Sequence, residues 1–135
     1  IIASADSDMI AAMKKDVSIW NINSFAEYYM QIIEKYKDDY EEAMSRFMDV
    51  RKRYVDKLAK IPALRVFPSQ ANYIMCHLEN GMSSRKLADI MLNKYNILIK
   101  DLSTKEGLNG GNYIRLSVKT DEENDVVVRV LSELL

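Results

Sequence analysis

The chain has 135 residues, 19 of them basic and 20 acidic, with a formal net charge of -1. That length holds one domain with a real core and needs no disulfide staple. The single Cys76 excludes an internal disulfide and suits a reducing compartment, and the balanced charge gives no footprint for nucleic acid or an anionic membrane.

In chain order, Asp6 to Lys15 predicts a short helix with Ile10 and Met13 facing inward and Lys14 and Lys15 near its end, where cations suit the dipole. No apolar run approaches a bilayer span, and the opening IIASADSDMI lacks the basic flank and apolar core of a signal peptide. A soluble cytoplasmic domain is expected. Ile1, which is not an initiator methionine, is expected to be the edge of a piece of something longer.

VSIWNINS reads as extended, and Ser24 with Glu27 as a capping box ahead of Phe25, Tyr28, Tyr29, Ile32, Ile33 and Tyr36 at helical spacing. Asp38 and Glu41 suggest a second cap. Behind it Tyr40, Met44, Phe47, Arg51, Tyr54, Leu58 and Ile61 trace one face of a long helix ending before Pro62. This stripe reads first as core or as a domain-packing face, and only second as a ligand box.

A brief strand spans Leu64 to Phe67, and ANYIMCHL resumes after Pro68 with Tyr73, Met75 and His77 on one side and Ile74, Cys76 and Leu78 on the other. ENG turns the chain. Ser83 or Ser84 opens a helix carrying Leu87, Ala88, Met91 and Tyr95, and NILIK reads as a short strand. Asp101 to Asn112 is polar and glycine-rich, hence a loop; Tyr113 to Val118 is the last strand. Thr120 and Glu123 then cap a final helix that buries Val126, Val127, Val130, Leu131 and Leu134. The order predicts two layers, helices on one face of a small sheet.

His77 is the only histidine and has no spaced partners for a metal. Cys76 and His77 point to opposite faces of a strand, which argues against a nucleophilic pair and leaves Cys76 as core. Gly107, Gly110 and Gly111 match no phosphate-binding pattern and lead into a strand, while Asp101, Lys105 and Glu106 read as solvent-facing loop charges. Arg115 stands apart. It alternates with Ile114 and Leu116 and shares its side with Tyr113 and Ser117. On a packed side it needs a carboxylate or carbonyls to offset desolvation; on a cleft its planar fork can hold a substrate carboxylate. The pattern leaves both open.

WNINSFAEYY, FPSQANYIMCHL, NILIKDLS and NYIRLSVKTDEEND, in that order, resemble the C-terminal small domain of fold-type I pyridoxal-phosphate enzymes of the class I/II aminotransferase group. The nearest branch holds histidinol-phosphate aminotransferase and threonine-phosphate decarboxylase. The resemblance spans residues 1–135 and implies an α/β fold of the two-layer α+β kind, a small mainly antiparallel sheet covered by helices, with the large cofactor-binding domain lying elsewhere. It makes Arg115 the match of the family's substrate-carboxylate arginine, Asn72 a support for backbone geometry, and Asn21 a substrate-binding position. Ile19 and Trp20 replace the proline-aromatic pair before Asn21, and Lys100 and Asp101 stand where the histidinol-phosphate type often has arginine and aspartate. The WNINSFAEYY form is also similar to aminotransferase modules fused to a nucleotidyltransferase.

The resemblance implies a parent enzyme, expected to be a homodimer, that uses pyridoxal phosphate to move an amino group between an amino acid and a 2-oxo acid. No segment matches the family's serine, lysine and glycine-rich cofactor motif, so the lysine that bonds the cofactor is expected in the large domain and the isolated chain is expected to be inactive and cofactor-free. No catalytic, metal, nucleic-acid or membrane role falls to these residues. Two rival readings stand: a decarboxylase of a phosphorylated amino acid on the same architecture, and a non-enzymatic module whose exposed aromatic stripe docks a partner.

Overall fold

The computed structural model describes residues 4–17, 22–108 and 111–135, and the chain divides into two units, Ile1–Glu42 and Ala43–Leu135. In the first unit, helix α1 (Ser7–Lys14) starts where the Asp6 carboxylate accepts the amides of Asp8 and Met9. Ile10 is half-buried, Met13 is 39% exposed, and no residue of α1 is buried, so the inward face expected of this helix is absent. The VSIWNINS reading falls largely on 18–21, outside the described residues, and Asn21 with it.

Helix α2 (Ser24–Ile32) is capped one residue earlier than predicted. The Asn23 side chain accepts the Ala26 amide at 2.9 Å, which moves Ser24 into the first turn and leaves Glu27 near the positive end of the helix dipole. Asparagine caps as well as serine, and its reach decides the start. The second cap, at Asp38 and Glu41, does not form. A 3-10 turn (Ile33–Tyr36) leads without an extended residue into α3 (Lys37–Leu58), so Asp38 lies within the first turn of that helix.

In the second unit the core is continuous. Tyr54 and Leu58 from α3, Leu87 and Met91 from α4 (Ser84–Tyr95), and Val130 and Leu131 from α5 (Asp121–Leu134) pack together with one face of the sheet. Ser83 caps α4, and Thr120 with Glu123 makes the expected reciprocal capping box of α5. Val127 and Leu134 are half-buried, whereas Val126 is 40% exposed, so the apolar stripe of α5 is narrower than its sequence suggests.

Four strands, β1 (Leu64–Val66), β2 (Tyr73–Leu78), β3 (Lys100–Asp101) and β4 (Tyr113–Ser117), lie in the order β1-β2-β4-β3, antiparallel throughout. Ile74, Cys76, Leu78, Ile114 and Leu116 are buried against the helices, as the period of two predicts. The predicted NILIK strand is shorter than expected. Asn96 takes a left-handed conformation that ends α4, Leu98 is 80% exposed, and only Lys100 and Asp101 reach a partner on β4.

Two ties join α3 to the start of α5. Arg53 meets Asp121 through two nitrogens at 3.2 and 2.7 Å, and Lys57 meets Asp125 one turn further along both helices. The Arg53 hydrogen bond holds the Asp121 carboxyl below the usual carboxylate range.

Candidate functional site

The sheet face turned away from the helices carries the chemistry. Strand residues directly opposite one another share a face, which puts Lys100, Arg115 and Met75 in one row across β3, β4 and β2, and Tyr113, His77 and Arg65 in the next. Among the paired strand residues of this face there are three cations and no carboxylate. Rings from Phe67, His77 and Tyr113 cluster at one end, with His77 and Tyr113 centroids 4.7 Å apart.

Arg115 is exposed, at the middle of β4. Its guanidinium carbon lies 4.9 Å from the centroid of the Tyr73 ring, and among the described residues no ion pair holds it. Of the two readings left open by the sequence, a buried arginine neutralised by an internal carboxylate does not describe this geometry. Arg115 lines a groove of about 480 Å³ together with Lys100, Asp101, Ser117 and Leu98.

Asp101 was expected to be a solvent-facing loop charge, yet it is half-buried on β3 and organises the loop behind it. Its carboxylate accepts from the Ser84 hydroxyl at 2.7 Å, the Ser103 amide at 3.0 Å and the Ser103 hydroxyl at 2.7 Å. Desolvation pushes its pKa up, but those donors and nearby Arg85 outweigh it and hold the carboxyl below the usual range. A depressed folded-state pKa adds stability above the unfolded value of about 3.9 and loses it as pH falls through the lower folded value. Asp101→Asn should therefore cost about 1–2 kcal/mol at pH 7. Its deficit against the parent chain, read from urea midpoints, should shrink markedly at about pH 3.

Asn72 is exposed, and its contribution is from backbone: its carbonyl accepts the Val118 amide at 2.9 Å. Two neighbours that sequence reading passed over hold this segment. The Ser69 hydroxyl donates to the Tyr73 carbonyl at 2.5 Å, and Arg51, assigned above to an apolar helix face, donates to the Ala71 carbonyl at 3.0 Å. Burial pushes the Cys76 thiol up to about 12, so it is neutral core at physiological pH.

A second cleft of about 410 Å³, walled by Tyr54, Ile97, Leu116 and Val127 among others, adjoins the groove of Arg115 and shares Leu98, Ile99 and Ser117 with it. Among the described residues the buried Tyr54 hydroxyl has no hydrogen-bond partner, and desolvation raises its pKa above the ordinary phenol value. Among the described residues no group of three metal-ligating side chains stands together, and no helix is long and apolar enough to cross a membrane.

A four-stranded antiparallel sheet with helices on one face is the architecture of the small C-terminal domain of fold-type I pyridoxal-phosphate enzymes. The chain belongs to the aminotransferase class I and II family, whose model matches residues 1–131. Within it the chain is related to the branch of histidinol-phosphate aminotransferase and serine-phosphate decarboxylase.

It is 30% identical over 135 residues to an L-serine phosphate decarboxylase of Sulfurospirillum multivorans, covering 98% of this chain and 34% of that one. A solved decarboxylase structure from the same organism superposes with a TM-score of 0.84 at 30% identity, over 96% of this chain and 37% of that one. The histidinol-phosphate aminotransferase of Clostridium acetobutylicum superposes with a TM-score of 0.79 at 33% identity, over 94% and 37% of the two chains. The chain thus spans between about a fifth and about a third of the curated relatives it matches first.

Proposed function

We propose that this chain is the small domain of a larger pyridoxal-phosphate enzyme acting on an amino acid, and that Arg115 holds the substrate α-carboxylate. The observation that carries this is an exposed arginine at mid-strand, its guanidinium carbon 4.9 Å from a ring centroid and free of any described carboxylate. A carboxylate matches the guanidinium fork through two parallel charge-assisted hydrogen bonds, a geometry that lysine cannot reproduce.

The cofactor end fits these residues poorly. A lysine that condenses with a carbonyl needs desolvation or a neighbouring cation to shed its proton. Every described lysine except Lys57 is exposed, Lys57 is tied to Asp125, and Lys100, although beside Arg115, is open to water. That exposure supports placing the cofactor's attachment in the large domain, with the chain alone inactive. When bound, pyridoxal phosphate supplies the electron sink for the charge left as a bond to the substrate α-carbon breaks. The residues here bind and orient the substrate, and closure of the small domain would expel water around Arg115.

Decarboxylation of a phosphorylated amino acid is the favoured reaction, because decarboxylases match this chain at least as well as aminotransferases do. Such a substrate brings two anions, and the open face offers two adjacent cations. Arg115 would take the carboxylate with its fork and Lys100 the phosphate as a point charge. Amino transfer to a 2-oxo acid is the second reading, supported by the histidinol-phosphate aminotransferase match.

Product analysis of the full-length enzyme, loaded with pyridoxal phosphate and given O-phospho-L-serine, separates the two. Carbon dioxide with no 2-oxo acid is the expected outcome; amino transfer to an added oxo acid without carbon dioxide supports the second reading. Neither product from any amino acid in a screen would leave a partner-docking module as the better account.

A further inference from the structure

We propose that Tyr73 is a positioning residue for Arg115, holding the guanidinium flat against its ring so that both N–H edges face the substrate carboxylate; this rests on the reading of Arg115 as the carboxylate fork. Tyr73 pairs with Ser117 and Arg115 with Met75, so the ring lies diagonal to Arg115 on the same face of β2 and β4. Diagonal neighbours are within reach of aromatic and long side chains. The 4.9 Å separation from guanidinium carbon to ring centroid is that of a cation over a π face.

The two flanks of Arg115 differ. On β3 stands Lys100, directly opposite and of like charge, which disfavours approach from that side. On β2 the ring face is electron-rich and attracts the cation. The guanidinium is thereby pushed from one side and drawn to the other.

A ring is also the one kind of partner that orients an arginine without using its donors. A carboxylate or carbonyl would occupy the same N–H edges that the substrate needs. A side chain left free in water would instead lose its rotamer freedom on each binding event.

The ring itself is well founded. Ser69 donates to the Tyr73 carbonyl, Arg51 to the Ala71 carbonyl, and the Val118 amide to the Asn72 carbonyl, which ties the approach to Tyr73 to α3 and to the end of β4. Tyr73 keeps 40% of its surface exposed, enough for a substrate to meet the stacked pair.

The test is the KM of the full-length holoenzyme for O-phospho-L-serine in initial-rate kinetics, set beside the inhibition constant of its decarboxylated amine, O-phosphoethanolamine. Tyr73→Leu and Tyr73→Thr, made together so that one retains the fold, should weaken phosphoserine about five-fold, the worth of one exposed cation–π contact. Phosphoethanolamine should shift less than two-fold, and Tyr73→Phe should recover phosphoserine affinity. In an Arg115→Lys background the Tyr73 changes should add little, because the partner they position is gone.

Equal weakening of both probes, or full additivity with Arg115→Lys, overturns the positioning role while leaving the fork in place. Arg115→Lys binding phosphoserine as well as the parent overturns the fork and the positioning role with it. So does an unaltered holoenzyme that binds neither probe.

Discussion

Replacing Arg115 by alanine in the full-length enzyme should raise KM for its amino-acid substrate about a hundred-fold, the worth of two charge-assisted hydrogen bonds to one carboxylate. Arg115→Lys should recover only part of this, since an ammonium keeps the charge and loses the fork. Folding should be little affected, because Arg115 is exposed and no described ion pair depends on it.

How kcat responds carries further information. In amino transfer the carboxylate survives the reaction with its charge, so its grip is uniform across ground and transition states; KM rises and kcat holds. In decarboxylation that charge leaves as the bond breaks. The grip is then stronger on the ground state, and kcat/KM falls by less than KM rises. Steady-state kinetics on Arg115→Ala, with a urea midpoint to confirm the fold, read both quantities. An unchanged KM in Arg115→Lys would remove Arg115 from the site.

Why Arg115 was legible in the sequence, and its surroundings were not, is a matter of range. A strand's period of two is local, so YIRLS announces its own buried and exposed sides, and YIMCHL does the same. What stands opposite each residue depends on register, which no local pattern states. Lys100 facing Arg115 across β3 and Tyr73 reaching it diagonally from β2 are both of that kind.

Asp101 shows the same limit from the polar side. Within DLSTKEG it looks like any loop charge, and it becomes a half-buried anchor only because Ser84, 17 residues earlier, opens a helix beside it. The caps divide in a similar way. Thr120 and Glu123 satisfied each other as predicted, whereas Ser24 lost its place to Asn23, an equally good cap one residue upstream. The aromatic stripe was read as core or domain-packing face. Tyr54 and Leu58 are core, while Tyr40 at the start of the stripe is 53% exposed and Met44 39%, so the stripe is buried only over its second half.

The second large effect is one of stability and centres on Asn124, which is 2% exposed. Its side-chain amide grips Lys119 at both ends, accepting the Lys119 amide at 3.0 Å and donating to the Lys119 carbonyl at 3.1 Å. This pins the short turn between the strand of Arg115 and α5. Asn124→Asp changes one atom and should cost about 3 kcal/mol at pH 7. The carboxylate still accepts from the Lys119 amide, but it faces the Lys119 carbonyl with a second acceptor and puts a charge at a buried position.

The sign with pH follows from that conflict. Burial and the facing carbonyl raise the folded-state pKa of the introduced carboxyl above its unfolded value of about 3.9. The protonated form can donate to the Lys119 carbonyl and restores the two-ended grip. The variant's stability relative to the parent is therefore greatest below about pH 4 and is lost as pH rises through the higher folded value. Asp101 and Asp121 lose their own contributions in acid in both proteins, so the comparison at equal pH removes them. Urea midpoints of the two chains at pH 7 and pH 4 should thus converge toward acid. Midpoints that stay equally far apart would mean that protonating the introduced carboxyl does not restore the bond to the Lys119 carbonyl.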